Sequence, residues 1–214
     1  MQHKELFVTG CDKNSEWMLE WFLENFRRHN KTPIAFSDFG VSESTKTWVR
    51  KNFDVYFEVP KIKLTGRTWF YKPSSLIKAP SIHKVWIDTD CQVLKPIDDI
   101  FSHLVMHKLS MVADRPWMRR RKEIWYNSGV VGVSYIPKIL KKWDENCMKQ
   151  KAVGDQEVLH LMLNEPLTKQ IYINELHNKY NWLRLQLKDG EDSKDKCVIH
   201  WTGPKGKEKI RGMI

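Results

Sequence analysis

The sequence predicts an α/β protein: one domain built on a mixed, mostly parallel central sheet with helices on both faces. The chain has 214 residues, enough for a single domain with a sizeable core. Up to residue 59, short apolar runs alternate with amphipathic stretches in the β-α-β-α-β order of a parallel sheet. Polar residues follow directly after several of these runs, as they do at the ligand-binding edge of open α/β sheets.

The elements of the first half follow from the apolar pattern. Strands are predicted at residues 6–9, 33–36, 55–59 and 84–87. Helices are predicted at residues 16–30, where Trp17, Phe22 and Phe26 share one face, and 42–52. Residues 64–67 are predicted to be a loop, and residues 69–77 to contain a helical turn whose start is limited by Pro73.

The second half continues the same alternation. Strands are predicted at residues 109–113, 127–134, 171–173 and 198–199, and amphipathic helices at 136–151 and 154–163. The basic run at 119–122 is predicted to be a loop, and residues 201–207 a flexible basic tail. No internal repeat or low-complexity linker divides the chain, which favours one domain.

Charge and cysteine content limit the partners and the compartment. A net charge of +10 favours an anionic partner: nucleic acid, an anionic membrane surface or a phosphorylated ligand. The four cysteines are far apart, which predicts free thiols in a reducing compartment. No apolar run reaches the roughly 20 residues of a membrane helix, and the N-terminus is unlike a signal peptide. We therefore expect a cytoplasmic protein, either alone or as a module of a longer polypeptide.

Two carboxylates stand one residue apart where the strand predicted at 84–87 ends. Asp88 and Asp90 cannot both be charged at a sheet edge without a neutralising cation. A hard divalent ion, shared with the oxygens of a diphosphate, is the simplest such cation. For an isolated Asp-x-Asp, the alternative of a turn with two solvated carboxylates is the more frequent one.

Other polar or small residues are predicted to reach the same sheet edge. In a doubly wound sheet the strand ends converge, so these positions can share one pocket with Asp88 and Asp90. They are Thr9, Gly10, Asp38, Asn127, Ser128, Gly129 and His200. An imidazole beside carboxylates suits Mn²⁺ better than Mg²⁺, although a lone histidine is more often structural.

Further candidates flank this set, each with a simpler alternative. Asp155 and Gln156 open a predicted helix and can hold sugar hydroxyls or accept a proton, whereas an Asp there is ordinarily a cap. Lys72 can anchor a phosphate or be a surface lysine. Lys205 and Lys207 can reach phosphate oxygens or be solvated.

Four segments together resemble the GT-A glycosyltransferases, most nearly the glycogenin-like and galactosyltransferase-like group of nucleotide-sugar enzymes. The segments are VWIDTD, YNSGVVGV, GDQEVLH and IHWTGPKGK, in that order, and the resemblance runs from about residue 6 to 207. It implies a single Rossmann-like GT-A domain, with a nucleotide-binding half at about 1–100 and an acceptor-side half at about 101–214. It also implies compact bacterial or large-virus enzymes as the nearest analogues, and thus a bacterial or virus-infected cytoplasm.

The resemblance implies a metal site and a donor site. Asp90 would be the direct ligand of a divalent ion, usually Mn²⁺, with Asp88 shared between the ion and the ribose and His200 completing the site. A lysine after Gly203 would contact the diphosphate. Its usual position holds Gly206 in this chain, so that role passes to Lys205 or Lys207.

The same resemblance implies the remaining roles. Lys72 would be the basic residue upstream of the Asp-x-Asp strand, and Thr9 and Gly10 would cradle the nucleoside of a donor that is by resemblance a UDP-sugar. Asn127, Asp155 and Gln156 would line the sugar and acceptor sites. An inverting enzyme would use Asp155 as the base, with Asp114 as the second choice; in a retaining enzyme Gln156 would face the sugar. The sequence leaves the stereochemistry open.

Three alternatives compete with the transferase. A haloacid-dehalogenase-like phosphatase also has a strand that ends in Asp-x-Asp, but it requires Thr or Val where this chain has Gln92, and its motif lies near the N-terminus. A basic nucleic-acid-binding module would use the run at 119–122, but no recognised motif supports it, and we expect no nucleic acid partner. A third alternative binds a nucleotide sugar without transferring it, and the intact Asp88, Asp90 and His200 argue against it.

Overall fold

The computed structural model describes residues 3–59, 67–149 and 152–214. Its strands are β1 (His3–Cys11), β2 (Ile34–Asp38), β3 (Val55–Glu58), β4 (Ser81–Ile87), β5 (Cys91–Val93), β6 (Leu109–Ala113), β7 (Tyr126–Ser134), β8 (Ile173–Leu176), β9 (Trp182–Leu183) and β10 (Val198–His200). Its helices are α1 (Leu19–His29), α2 (Glu43–Asn52), α3 (Lys72–Lys78), α4 (Arg115–Arg121), α5 (Lys138–Met148), α6 (Asp155–Met162), α7 (Pro166–Tyr172), α8 (Arg184–Lys188) and α9 (Gly203–Arg211). Short 3-10 turns lie at Glu16–Met18, Thr68–Tyr71, Asp98–His103 and Asn178–Tyr180.

A seven-stranded sheet in the order β3-β2-β1-β4-β7-β6-β8 forms the centre of the molecule. All of its strands run in one direction except β7, which is antiparallel to both of its neighbours. The predicted mixed, mostly parallel sheet is therefore confirmed. Because β7 runs the other way, its first residues lie beside the carboxyl ends of β4 and β6, where ligands bind in open sheets.

Apolar side chains alternate between the two faces of this sheet, as the period of a strand requires. Phe7, Val85 and Ile87 join the core layer beneath α1, whereas Val8 and Trp86 join the layer beneath α5 and α6. Helices thus cover both faces, as the sequence predicts.

A second, three-stranded sheet in the order β5-β10-β9 closes over one end of the first. β10 is antiparallel to β5, which pairs His200 with Cys91. The backbone N–H of Trp201 also donates to the carbonyl of Asp90 at 2.9 Å. These contacts carry the end of the chain back to the Asp-x-Asp segment.

The prediction of a loop at 119–122 is wrong, because α4 includes residues 119–121. Asp114 starts this helix by accepting the backbone N–H of Trp117 at 3.0 Å, and Pro116 lies in its first turn. Lys122 ends it in the left-handed conformation, with φ of 59°. Arginine is a good helix former, so a basic run is no evidence for a loop once a cap precedes it.

Two predictions near the C-terminus are also wrong. The strand predicted at 171–173 is mostly helix, because α7 continues to Tyr172 and β8 begins at Ile173. The predicted flexible tail is instead the start of α9, which is held in place by the buried Ile210. A cap, Thr202, and Pro204 in the first turn begin this helix. Residues 64–66 of the predicted loop, like residues 150 and 151, lie outside the described residues.

Two expectations about cysteines and membranes can be compared with this fold. All four cysteines are free and buried. Over the described ranges, no helix is long and apolar enough to cross a membrane.

Candidate active site

Two neighbouring cavities open at the carboxyl edge of the central sheet. The first, of about 190 Å³, extends from Gly10 and Phe39 to Lys207. The second, of about 270 Å³, extends from Asp114 and Asn127 to Gly203. Both are lined by Trp69, Lys72, Asp88 and Asp90. A ligand with two parts, one in each cavity, would therefore cross the Asp-x-Asp segment.

Lys72 lies at the junction of the cavities and is only 2% exposed. Its Nζ is 3.1 Å from Asp88 Oδ1 and 3.1 Å from Asp155 Oδ2, and donates to the carbonyl of Ser128 at 2.8 Å. Burial alone would lower the pKa of Lys72, but the two carboxylates outweigh it and the pKa is raised. The first residue of α3 is thus a buried, permanently charged ammonium group rather than a surface lysine.

Asp90 pairs with His200, whose Nε2 is 3.1 Å from Asp90 Oδ1. Burial would raise the pKa of Asp90, but the charge and hydrogen bond of His200 outweigh it, and the pKa is lowered. Burial would likewise lower the pKa of His200, and the charge of Asp90 raises it instead. The pair is therefore ionised although both groups are buried.

Asp88 differs from Asp90 in its surroundings. It accepts a hydrogen bond from Trp86 Nε1 at 2.6 Å, contacts Lys72, and lies 3.6 Å from His200 Nε2. Its pKa is raised, mainly by burial, with Lys72 opposing the shift. Asp88 is thus already partly satisfied by protein groups, whereas among the described residues Asp90 forms its one ion pair with His200.

His200 is held in one orientation by two amides. Its Nδ1 lies 3.1 Å from Oδ1 of Asn127 and 3.1 Å from Oδ1 of Asn181. Because both neighbours are acceptors, Nδ1 carries a proton and Nε2 points at the carboxylates. Asn181 Nδ2 also donates to Asn127 Oδ1 at 2.8 Å, which fixes both amides. Asn181 was not predicted, and nothing in its local sequence indicates this role.

A backbone without a side chain makes room for the His200 ring. A Cβ added at Gly129 would lie 2.1 Å from Cε1 and 2.2 Å from Nδ1 of His200. A glycine at this position therefore lets the imidazole approach the backbone closely.

Asp114 and Gln156 join the same network from the other side of Asn127. Asn127 Nδ2 donates to Asp114 Oδ2 and to Gln156 Oε1, each at 3.0 Å, and Gln156 Nε2 donates to Asp114 Oδ2 at 2.9 Å. With its other oxygen on Trp117 N, Asp114 uses both oxygens for protein groups. The Oδ2 atom of Asp155, by contrast, has one partner among the described residues, the ammonium group of Lys72.

Of the residues predicted to bind the nucleoside or its donor, Gly10 lines a cavity, whereas Thr9 and Asp38 do not. Gly10 lines the first cavity, and its backbone packs so closely on β2 that an added Cβ would lie 2.4 Å from the Ser37 carbonyl. Thr9 is fully buried in β1. Asp38, the last residue of β2, lines neither cavity. It accepts the backbone N–H groups of Gly40 and Val41 at 2.6 and 2.9 Å and so stabilises the turn that follows the strand.

The two lysines after Gly203, Lys205 and Lys207, also differ in whether they line a cavity. Lys207 lines the first cavity, and its charge helps to lower the pKa of Asp90. Lys205 is exposed and lines neither cavity. Gly203 itself lines the second cavity with φ of 72°. A Cβ at Gly206 would lie 1.9 Å from the Trp201 carbonyl, so this backbone excludes a lysine at the position where the resemblance expects one.

The donor set fits a divalent cation. Among the described residues, three buried or half-buried carboxylates, Asp88, Asp90 and Asp155, form their ion pairs with two cations, Lys72 and His200. Among the residues that the structure describes, Asp90, Cys91 and His200 offer ligand atoms within 4.8 Å of one another. Burial raises the pKa of the Cys91 thiol, which stays protonated in the core, so Asp88 is the better third ligand.

No protein-family profile and no curated protein matches the sequence. Solved structures do match. The galactosyltransferase LgtC, solved with donor and acceptor sugar analogues, superposes with a TM-score of 0.65 at 13% identity over 98% of this chain and 96% of that chain. Mouse xyloside xylosyltransferase 1 gives 0.61 at 11% identity over 94% of this chain and 97% of that chain.

A third structure, the glycosyltransferase GlyE of Streptococcus pneumoniae, gives a TM-score of 0.64 at 15% identity over 94% of this chain. This chain spans only 55% of the GlyE chain. The fold is thus that of the GT-A glycosyltransferases, and the predicted resemblance is confirmed at that level.

Proposed function

We propose that this chain is a metal-dependent glycosyltransferase that moves a sugar from a nucleoside diphosphate sugar, by resemblance a UDP-sugar, to a hydroxyl group of a glycan or other acceptor. The observation that carries the proposal is the cluster of Lys72, Asp88, Asp90, Asp155 and His200 between two joined cavities. It lies at the ligand-binding edge of a sheet whose solved counterparts belong to glycosyltransferases.

Asp90, His200 and Asp88 would hold the metal ion, and the imidazole favours Mn²⁺ over Mg²⁺. A divalent ion there supplies charge stabilisation to the diphosphate leaving group. Lys207 would add a second cation on the side of the first cavity, where the nucleoside fits beside Phe39 and Trp86. Their rings stack with centroids 6.0 Å apart.

The second cavity suits the transferred sugar and the acceptor hydroxyl. Asp155 remains the proposed base of an inverting reaction, because it lines the second cavity and its Oδ2 has one partner among the described residues, Lys72. Asp114 is the weaker candidate, since Trp117, Asn127 and Gln156 occupy both its oxygens. In a retaining reaction Gln156, on the rim of the same cavity, would face the sugar.

The direct test is nucleotide-sugar turnover with and without Mn²⁺. The protein is incubated with a panel of UDP- and GDP-sugars while nucleotide release and the melting temperature are measured. We expect one nucleotide sugar to raise the melting temperature only when Mn²⁺ is present. If neither metal nor any nucleotide sugar changes the melting temperature, the proposal fails.

The matched variants are Asp90→Asn and Asp195→Asn, which remove one acid each. Asp195 is exposed and its side chain makes no contact with the site. We expect Asp90→Asn to lower the affinity for Mn²⁺ by at least tenfold, in line with the loss of a charged ligand, and Asp195→Asn to leave it unchanged. Calorimetric titration with Mn²⁺ measures both, and retained affinity in Asp90→Asn would remove this residue from the metal site.

A further inference from the structure

A third cavity, of about 370 Å³, lies beside the proposed sugar site. It is lined by Trp117, Arg121, Trp125, Val153, Gly154, Gln156 and Glu157. Trp117 and Gln156 also line the second cavity, so the two cavities are adjacent. The size of the third cavity falls in the range of small-molecule sites.

Aromatic rings give this cavity a fixed wall. Trp117 and Trp125 stack with their centroids 5.8 Å apart, and the rings of His160 and Trp125 stack at 3.5 Å. His160 is held in turn by Glu123, 3.0 Å away. Rigid indole faces bury area at low entropic cost and leave a flat surface for a ring.

The last three arginines of α4 have different surroundings. Arg119 is neutralised by Asp189, at 2.6 Å, and by Glu191. Arg120 and Arg121 form no ion pair with any described residue; their guanidinium groups lie 6.0 and 5.0 Å from the centroid of the Trp117 ring. Two exposed cations therefore border the aromatic wall.

One carboxylate, Glu157, also lines the cavity. Its Oε2 accepts the backbone N–H of Val153 at 2.7 Å, which holds this carboxylate at the start of α6. Glu123 is held by His160 in the same way. Arg120 and Arg121, which have no ion-pair partner among the described residues, are therefore the groups left to bind an anion, and planar guanidinium groups bind carboxylates and phosphates with two parallel hydrogen bonds.

We propose that this third cavity is an acceptor subsite for a saccharide that carries an anionic group, with a sugar ring against Trp117 and the anion on Arg120 and Arg121. The proposal rests on the proposed transferase function, because it takes the second cavity as the place of sugar transfer. It differs from a membrane-binding surface in that one of the two cations, Arg121, lines a cavity adjacent to the proposed sugar site.

The experiment compares matched glycosides that differ only in charge. Binding of methyl β-D-glucuronide and methyl β-D-glucoside is measured by saturation-transfer NMR at constant ionic strength in the unaltered protein. We expect the anionic glycoside to bind at least fivefold more tightly. Equal binding of the two glycosides overturns the proposal.

The variants are Arg120→Gln/Arg121→Gln and the control Lys141→Gln/Lys142→Gln, which removes two exposed cations from α5. We expect the preference for the glucuronide to disappear in the arginine variant and to persist in the control. A preference that persists in the arginine variant, or is lost equally in both, overturns the proposal. Thermal melting establishes that both variants are folded, and Arg120→Lys/Arg121→Lys is expected to keep part of the preference through charge alone.

Two further measurements separate the alternatives. Vesicles containing phosphatidylserine are tested for sedimentation with the protein; arginine-dependent sedimentation without a glycoside preference would indicate a membrane surface instead. Mn²⁺-dependent stabilisation of the unaltered protein by nucleotide sugars is measured independently of any acceptor. If that stabilisation is present and the glycoside preference absent, the acceptor proposal fails while the proposed function stands.

Discussion

At the scale of single residues, the site depends on how buried charges are compensated. Lys72 is the only ammonium group between Asp88 and Asp155 among the described residues, and the sequence analysis left open whether it was a surface lysine. Ser128 was predicted to belong to a strand, but its contact with Lys72 comes only from the packing of α3 on the sheet.

The first residue-scale prediction concerns Lys72→Met. Removing the ammonium leaves two buried carboxylates uncompensated, so we expect the free energy of unfolding to fall by about 3–5 kcal/mol. The control Lys78→Met, on the exposed end of α3, is expected to cost less than about 1 kcal/mol. Urea unfolding in the absence of divalent cations measures both; equal costs would show that the buried ion pairs do not stabilise the fold.

The second residue-scale prediction concerns the substitution Gly129→Ala. The added Cβ overlaps the His200 ring, which must leave its place between Asn127 and Asn181. We expect the affinity for Mn²⁺ to fall by about tenfold or more, the effect of disturbing a ligand's supporting contacts. Gly212→Ala is the control, because an added Cβ there meets its nearest atom at 3.6 Å. Unchanged Mn²⁺ affinity in Gly129→Ala would argue against His200 as a ligand.

At the scale of elements, the packing of α9 explains why a glycine, Gly206, stands where the resemblance expects a lysine. The helix packs so closely on Trp201 that only glycine fits at position 206, and the cation that faces the site is Lys207 on the next position. Lys205 and Lys207 remained alternatives by sequence because the position at which the resemblance expects the lysine holds Gly206. The helical turn is what directs Lys207 to the cavity and Lys205 to solvent.

The prediction at this scale is Gly206→Ala. The helix must shift to relieve the contact with the Trp201 carbonyl, so we expect a loss of about 1–3 kcal/mol in the free energy of unfolding. The shift also moves Lys207, so the affinity for a stabilising nucleotide should fall as well. Gly212→Ala serves again as the control at the end of the same helix. Native stability in Gly206→Ala would contradict the close packing of α9.

At the scale of the whole molecule, the sheet carries one buried charge that no carboxylate compensates among the described residues. Lys84 lies within β4, 2% exposed, and donates to the carbonyls of Leu76 and Ile77 at the end of α3, at 2.9 and 3.4 Å. Burial lowers the pKa of Lys84 to about 8. The folded state therefore releases this proton at a lower pH than the unfolded chain does.

The corresponding prediction concerns pH. Between about pH 8 and the usual lysine pKa near 10.4, the unfolded chain binds more protons than the folded one, so the contribution of Lys84 to stability rises with pH. Relative to Lys84→Met, the unaltered protein should gain about 2 kcal/mol between pH 7 and pH 9.5. Urea unfolding of both proteins at the two pH values measures the difference, in which other titrating groups cancel. A constant difference would mean that Lys84 has an ordinary pKa.

The sequence by itself determined the class of fold and the composition of the site edge. Buried strands need continuous apolar runs and helices need an apolar stripe, and both patterns are local. Polar residues after a strand mark its carboxyl edge for the same reason, so Asp88, Asp90 and His200 could be assigned to one edge before any contact was known.

The tertiary structure alone decided which of these residues meet and how. The reversed direction of β7 brings Asn127 between His200 and Asp114, and the pairing of β10 with β5 sets His200 beside Asp90. These contacts join residues far apart in the chain, and their geometry depends on packing rather than on any local pattern. For the same reason the structural role of Asp38, the support from Asn181 and the helix that presents Arg120 and Arg121 beside Trp117 follow from the fold and not from the sequence motifs.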